Sequence, residues 1–213
     1  VIEIDDRVTS AMVSDSLDLF GVRENVMRAD LMPLERSMKI VGIAATAEFA
    51  PDPVFDEFDP YADAIDYLDT LATGEVAVIA TGGNSISAFW GELFSTAAMG
   101  RGVRGVIVDG PLRDTAQILT INFPAFGVGR RPIDYKGRMK LISTRSNIEC
   151  SGVQISNGDY IFGDCDGVVV VPFRVAEEVF AAANERARGE KAVLRELQAG
   201  KSVREVWDRH RLL

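Results

Sequence analysis

Three segments of the 213-residue chain combine residue types and spacing that can do chemistry. The sharpest is 106–114, V-I-V-D-G-P-L-R-D, where an apolar strand runs into Asp109-Gly110 and Arg113-Asp114 then open a helix. Ligands of open α/β sheets bind beyond the carboxyl ends of strands, so this pair stands at the usual address. Arg113 offers a planar fork for a carboxylate, and Asp114 an oxygen ligand for a hard cation, directly or through water. The plainer alternative is an aspartate that favours a helix dipole, next to a surface arginine. The second segment is 81–85, T-G-G-N-S, which follows the apolar run 76–80 and precedes a helical pattern. That is the order an anion cradle needs, and an ordinary strand-to-helix turn explains the residues equally well. The third, 100–105, reads G-R-G-V-R-G and matches the dinucleotide pattern, but a helix precedes it and a strand follows. Dinucleotide binding requires the reverse order, so this is a helix stop and a tight entry into a strand.

Other chemistries are excluded by scarcity. His210, near the C-terminus, is the single histidine. A frayed terminus is a poor mount for an imidazole, so Ser-His-Asp and Cys-His catalysis fail, as do zinc sites with several His ligands. His210 reads as a solvated tail residue. Cys150 and Cys165 lack a redox or zinc spacing, read as buried thiols, and are too few for a disulfide framework, which points to a reducing cytoplasm. Residues 164–167, D-C-D-G, read as a turn between strands rather than a metal loop. Any metal would therefore have oxygen ligands, which means Mg²⁺, Mn²⁺ or Ca²⁺.

The balance of 23 basic against 32 acidic residues gives a net charge of −9, against a nucleic-acid partner held by overall charge. No apolar run approaches the roughly 18 residues that span a bilayer, so no membrane partner is expected. The sequence opens at Val1 rather than Met, which leaves room for a removed leader. Inside this acidic chain, residues 101–145 carry nine Lys/Arg and three acids. Such a block either concentrates a small anion or meets the acidic stretch Glu48–Asp69, which has eight carboxylates and no Lys or Arg.

The elements that must position these residues follow from periodicity. Met12, Val13, Leu17 and Phe20 share a face of a helix over 9–20, stopped by Gly21. Strands are expected at 41–47, 76–80 and 103–108, with helices at 61–71, 88–99 and 113–119. This alternation favours parallel pairing. From 126 onward short strands are expected near 126–129, 140–144, 148–155, 159–162 and 168–171, which makes the rest antiparallel. Helices over 174–188 and 190–199 divide near Gly189, and 202–210 forms a third. The organisation is a domain over 1–173 followed by C-terminal helices over 174–213, which pack on the same or a neighbouring subunit.

Taken in order, the segments 13–17 (V-S-D-S-L), 41–46 (V-G-I-A-A-T), 90–93 (W-G-E-L), Ala97-Ala98, Arg101-Gly102, 105–110 (G-V-I-V-D-G), Arg113-Asp114, 123–126 (F-P-A-F), Gly158-Asp159 and 166–172 (D-G-V-V-V-V-P) resemble the RraA-like family, over about residues 8–175. That family includes the class II pyruvate aldolases, and its members are often labelled dimethylmenaquinone methyltransferases. No glycine loop of the required order supports that last label here.

The resemblance implies an α/β fold, a swivelling β/β/α domain with mixed parallel and antiparallel sheets and a C-terminal helical tail. It also implies homotrimers or hexamers with sites between subunits. Family aldolases carry an acid, twenty intervening residues, then Arg-Asp; Glu92 precedes Arg113-Asp114 by that interval. The first acid is typically Asp, so Glu92 departs from the pattern, as does Gln117 where many relatives have an acid. A neighbouring subunit's Glu, about ten residues before a Gly, matches Glu190. The implied function is a Mg²⁺- or Mn²⁺-dependent lyase that releases pyruvate from 4-substituted 2-oxo acids, by retro-aldol cleavage or oxaloacetate decarboxylation. Glu92 and Asp114 would hold the metal. Arg113 and the backbone around Gly91, Leu93 and Phe94 would bind the substrate, and Arg113, Asp114 and Glu190 would form the catalytic set. The alternatives are a non-catalytic regulator that binds a ribonuclease, and a lyase on a different small carboxylic acid. Family regulators lack the acid at position 92, so Glu92 favours the enzyme.

Overall fold

The computed structural model describes residues 2–54 and 57–212; Val1, Phe55, Asp56 and Leu213, and with them the middle of the acidic stretch, lie outside the described residues. A helix α1 (Ser10–Leu19), capped by the Thr9 hydroxyl, leads to strands β1 (Met32–Pro33) and β2 (Ile40–Pro51). Then follow α2 (Ala62–Thr70), β3 (Glu75–Ala80), α3 (Glu92–Gly100), β4 (Gly105–Val108), α4 (Thr115–Thr120) and β5 (Ala125–Gly127). Strands β2, β3, β4 and β5 lie side by side in parallel, as the alternation predicts. The later strands β6 (Met139–Thr144), β7 (Ile148–Cys150), β8 (Val153–Ile155), β9 (Tyr160–Asp164) and β10 (Gly167–Val171) pair antiparallel. The chain ends in α5 (Ala176–Gln198) and α6 (Val203–His210).

The main sheet runs β1-β5-β4-β3-β2-β9-β10, with β6 on the far part of β2. Residues 25–33 nearly close it. Met27 N–H donates to Val168 C=O (2.9 Å) and Val170 N–H to Asn25 C=O (2.8 Å), while β1 pairs with β5. Side chains of period two then face either the inside of the ring or a helical layer outside. On β3, Val76, Val78 and Ala80 point inward to meet Ile107, Phe126, Ile161, Val168 and Val170, while Ala77 and Ile79 face outward beneath α2 and α3. On β10, Val169 and Val171 turn outward onto α1 and α5, against Val13, Leu17 and Phe180.

The structure corrects several boundaries. Helix α3 starts at Glu92 rather than 88, because Ala88 and Trp90 are held in extended bridges to Asp134 and Leu112. The expected strand 148–155 is a hairpin: Ser151 (φ +50°) and Gly152 (φ +83°) both turn left-handed, the geometry of a two-residue hairpin turn. Strand β2 continues into the acidic stretch as far as Pro51. Helix α5 passes through Gly189 without a break. Glycine costs a helix only about 1 kcal/mol, and here it leaves space for the Leu212 side chain, which a Cβ would meet at 3.1 Å. Cys150 is buried as expected, whereas Cys165 is partly exposed in the β9–β10 turn. His210 is not a free tail residue; its Nε2 lies 3.4 Å from Glu196 on α5.

Candidate functional site

Beyond the carboxyl ends of β3, β4 and β5 the chain stays extended and forms a second tier. Leu112, fully buried, bridges Trp90 on one side and Arg130 on the other. Arg113 N–H donates to Trp90 C=O (2.9 Å) and Leu112 N–H to Gly129 C=O (3.1 Å). The backbone carrying Arg113 and Asp114 is thus fixed from both flanks. Trp90 is itself locked by its Nε1–H donating to Ser95 Oγ (2.8 Å) and by stacking on Phe123.

Asp114 sits at the head of α4 in the left-handed region (φ +52°, ψ +34°) and does not cap its own helix. An ordinary N-cap aspartate accepts from the first helical turn. Here the carboxylate turns instead toward α3, where Oδ2 accepts from Glu92 N–H at 3.3 Å. Strained backbone held by its surroundings is common at functional positions. Gly91 makes the approach possible: a Cβ there would stand 2.5 Å from Asp114 Oδ2 and 3.0 Å from Arg113 Cγ.

Arg113 lies between two carboxylates. Its Nη1 is 2.9 Å from Asp134 Oδ2, and its Nε is 3.6 Å from Asp114 Oδ2. Tyr61, just before α2, donates its hydroxyl to the same Asp134 oxygen at 2.6 Å. Burial pushes the Asp134 carboxyl upward, but the hydrogen bonds from Tyr61, the Lys136 N–H and Arg113 outweigh it and hold the group below its ordinary value. Burial, then the bond to Asp134, raises Tyr61. Tyr135, raised mainly by burial, packs edge-on to Phe49 and stacks on Phe89, which anchors the segment that carries Asp134.

These groups line a cleft of about 210 Å³ with Ile65, Leu93 and Phe94 among its walls. Of the residues singled out from sequence, Arg113, Asp114, Gly91, Leu93 and Phe94 come together there. Glu92 flanks the cleft in the first turn of α3, half-buried, and its carboxylate has no hydrogen bond or ion pair among the described residues. Glu190 lies apart, on α5, paired with Arg186 at 3.1 Å. Asp134 and Tyr61 were not anticipated. The available signal was that Asp134 is one of only three acids in the basic block 101–145.

The other candidates resolve structurally. Residues 81–85 lead into no helix: Asn84 Oδ1 accepts from Ile86 N–H and Ser87 N–H, and Thr81 receives Asn84 N–H. Asp109 is buried and accepts from Thr81 N–H (2.5 Å) and Thr81 Oγ1 (2.6 Å), so it braces this turn. Among the described residues, Asp164, Cys165 and Asp166 are the one group of three possible ligands within 4.8 Å. Asp164 is already committed, through both oxygens, to Ser10 at the start of α1. The run 100–105 closes α3 and opens β4, as its order implied. No helix among the described residues is long and apolar enough to cross a membrane.

A cleft of carboxylates and one guanidinium thus lies beyond the parallel strands of a nearly closed mixed sheet in an α/β domain. The family described as RraA-like (Aldolase/RraA) matches residues 10–170, and the chain belongs to it. It is 31% identical over 80% of its length to protein DlpA of Legionella pneumophila, of which the match spans only 27%. It is 29% identical, over 87% of this chain and 82% of the relative, to a Halalkalibacterium halodurans protein named "Putative 4-hydroxy-4-methyl-2-oxoglutarate aldolase". Among solved structures, Streptomyces coelicolor RraAS2, described as an unusual member of the RNase ES inhibitor RraA family, superposes with a TM-score of 0.77 at 25% identity, over 87% of this chain and 91% of that one.

Proposed function

We propose that the protein is a divalent-metal-dependent lyase that cleaves a C–C bond of 4-substituted 2-oxo acids and releases pyruvate. The aldolase names of relatives support a lyase at the family level. The observation that carries the reading is the Gly91–Asp114 contact, which turns a strained carboxylate away from its helix and toward Glu92 beside Arg113.

The donor set fits a hard cation. Asp114 and Glu92 are oxygen ligands, Asp114 Oδ1 carries no hydrogen bond among the described residues, and its side chain is 42% exposed. Mg²⁺ or Mn²⁺ suits such a site, since these ions keep water and substrate among their ligands. When bound, such an ion supplies Lewis-acid polarisation of the substrate's carbonyl.

The remaining work falls to side chains. Asp134 and Asp114 orient the Arg113 fork, and Nη2, which has no partner among the described residues, donates to the oxygen that becomes negative as the C–C bond breaks. One preorganised donor of this kind contributes about 3–4 kcal/mol. Trp90 and Phe94 exclude water from one wall. A catalytic Glu190 requires α5 of one copy to reach the cleft of another, which makes a homotrimer or hexamer part of the proposal, as is a cytoplasmic location.

The test is pyruvate release from oxaloacetate and a panel of 4-hydroxy-2-oxo acids, with Mg²⁺ and with EDTA, for wild type, Arg113→Ala and Asp114→Ala. Metal-dependent turnover that falls in both variants by about 100-fold or more is expected. Turnover no faster than free metal on every substrate overturns the 2-oxo acid lyase and leaves the two alternatives, a ribonuclease-binding regulator and a lyase on a different small carboxylic acid.

A further inference from the structure

Arg113 is the only cation among the residues that line the cleft, so where its guanidinium rests decides how much positive charge Asp114 meets. The two flanking carboxylates hold it unequally. Nη1 meets Asp134 Oδ2 at 2.9 Å, the length of a charge-assisted hydrogen bond, whereas Nε lies 3.6 Å from Asp114 Oδ2, beyond that range. Asp134 is also the better anchored of the two. Its Oδ2 accepts from the Tyr61 hydroxyl at 2.6 Å and its Oδ1 from Lys136 N–H at 3.2 Å, and its backbone bridges to Ala88. Asp114 accepts one long bond, from Glu92 N–H at 3.3 Å. The Asp134 side chain is 24% exposed against 42% for Asp114, so its ion pair is the less screened.

Without Asp134, the flexible arginine keeps one carboxylate within reach and closes onto it. Its planar fork then covers the Asp114 oxygens and sets a positive charge where a cation would bind. Arg113 and a divalent cation are thus competitors for Asp114, and Asp134 decides between them.

We propose that Asp134, steadied by Tyr61, is a positioning residue that holds Arg113 off Asp114 and so keeps the Asp114 carboxylate open to a divalent cation. This rests on the metal-dependent part of the proposed function and not on the reaction catalysed. A Glu190 supplied by a neighbouring copy adds the same charge to every variant and cancels from the comparison.

The experiment is Mn²⁺ titration of the full chain without substrate, followed by the electron paramagnetic resonance of the free ion, on variants that melts show to be folded. Asp134→Asn is expected to weaken Mn²⁺ binding by about tenfold or more. Arg113→Ala is expected to bind at least as tightly as wild type. Adding Asp134→Asn to it is expected to change the affinity by less than about twofold. Tyr61→Phe, in which Asp134 keeps Arg113 and the Lys136 N–H, is expected to show a smaller loss than Asp134→Asn. A loss that persists in the double variant overturns the proposal, because Asp134 then acts by its own charge or through the fold. So does an Asp134→Asn affinity equal to that of wild type, and so does a wild type that binds no Mn²⁺. Absence of pyruvate release from every 2-oxo acid, with the coupling of Asp134 to Arg113 intact, overturns the lyase reading alone.

Discussion

Asp114 Oδ2 occupies the space where position 91 would carry a Cβ, and the two residues come from different strand extensions. The site is therefore assembled by a missing side chain as much as by a present one. Gly91 has an extended backbone that alanine adopts freely, so Gly91→Ala is a steric probe rather than a backbone one. It is expected to displace the Asp114 carboxylate and to cut pyruvate release by about tenfold or more, at a stability cost of about 1–3 kcal/mol. Steady-state kinetics beside a denaturant melt measure both. Full activity in a folded variant would remove Asp114 from the mechanism.

Asp134 ties Tyr61 to Arg113, and its folded carboxyl lies below the ordinary value near 3.8. A depressed carboxylate contributes stability above its unfolded pKa and loses it as the pH falls through the folded value. Asp134→Asn is therefore expected to be less stable than wild type by about 1–2 kcal/mol at neutral pH. The gap should close as the pH is lowered below about 4 and through the depressed folded value. Urea midpoints across this range decide it; a gap independent of pH would assign the loss to packing.

Asp109, although it follows β4 in front of the site, is committed to the Thr81 turn and holds the fold rather than the substrate. Asp109→Ala strands the Thr81 N–H and hydroxyl in a buried turn and is expected to cost about 3 kcal/mol. The folded fraction should retain its activity. A stable but inactive variant would return Asp109 to the catalytic machinery.

Ser151 adopts φ +50° in the β7–β8 turn, and its buried hydroxyl has no hydrogen-bond partner. Ser151→Gly removes both penalties, offset by the greater freedom of glycine in the unfolded chain. A net gain of about 0.5–1 kcal/mol in thermal or chemical unfolding is expected. A loss would mean that the freedom of glycine in the unfolded chain, or a partner of the hydroxyl in solution, outweighs the relief.

Fold class and strand alternation were legible because buried parallel strands such as 76–80 and 105–108 are short continuous apolar runs, and the helices between them are amphipathic. Arg113-Asp114 was legible from its place after such a run. The start of α3 was not, because residues 88–91 are captured by bridges to Leu112 and Asp134, partners distant in sequence. The hairpin at Ser151 was hidden because serine gives little sign of left-handed backbone. Asp134 and Tyr61 were missed for a related reason: each gains its role only when α2 and the segment after β5 meet over Arg113. Gly189 looked like a helix stop, but the stop signal is local and the tail that fills its vacancy is not.

The near-closure of the sheet by residues 25–33 also dictates an order of events during synthesis. Asn25 and Met27 find their backbone partners only on β10, and the first residues of β2 find theirs on β9. In a nascent chain that has emerged only through β6 the ring is open, and the flank of β2 over Ile40–Ile43 lacks its partner. Such contacts, distant along the chain, are slow to form, and unpaired flanks recruit other strands. The last third of the polypeptide thus covers a sheet edge of the first, which stays unpaired until β9 and β10 are in place.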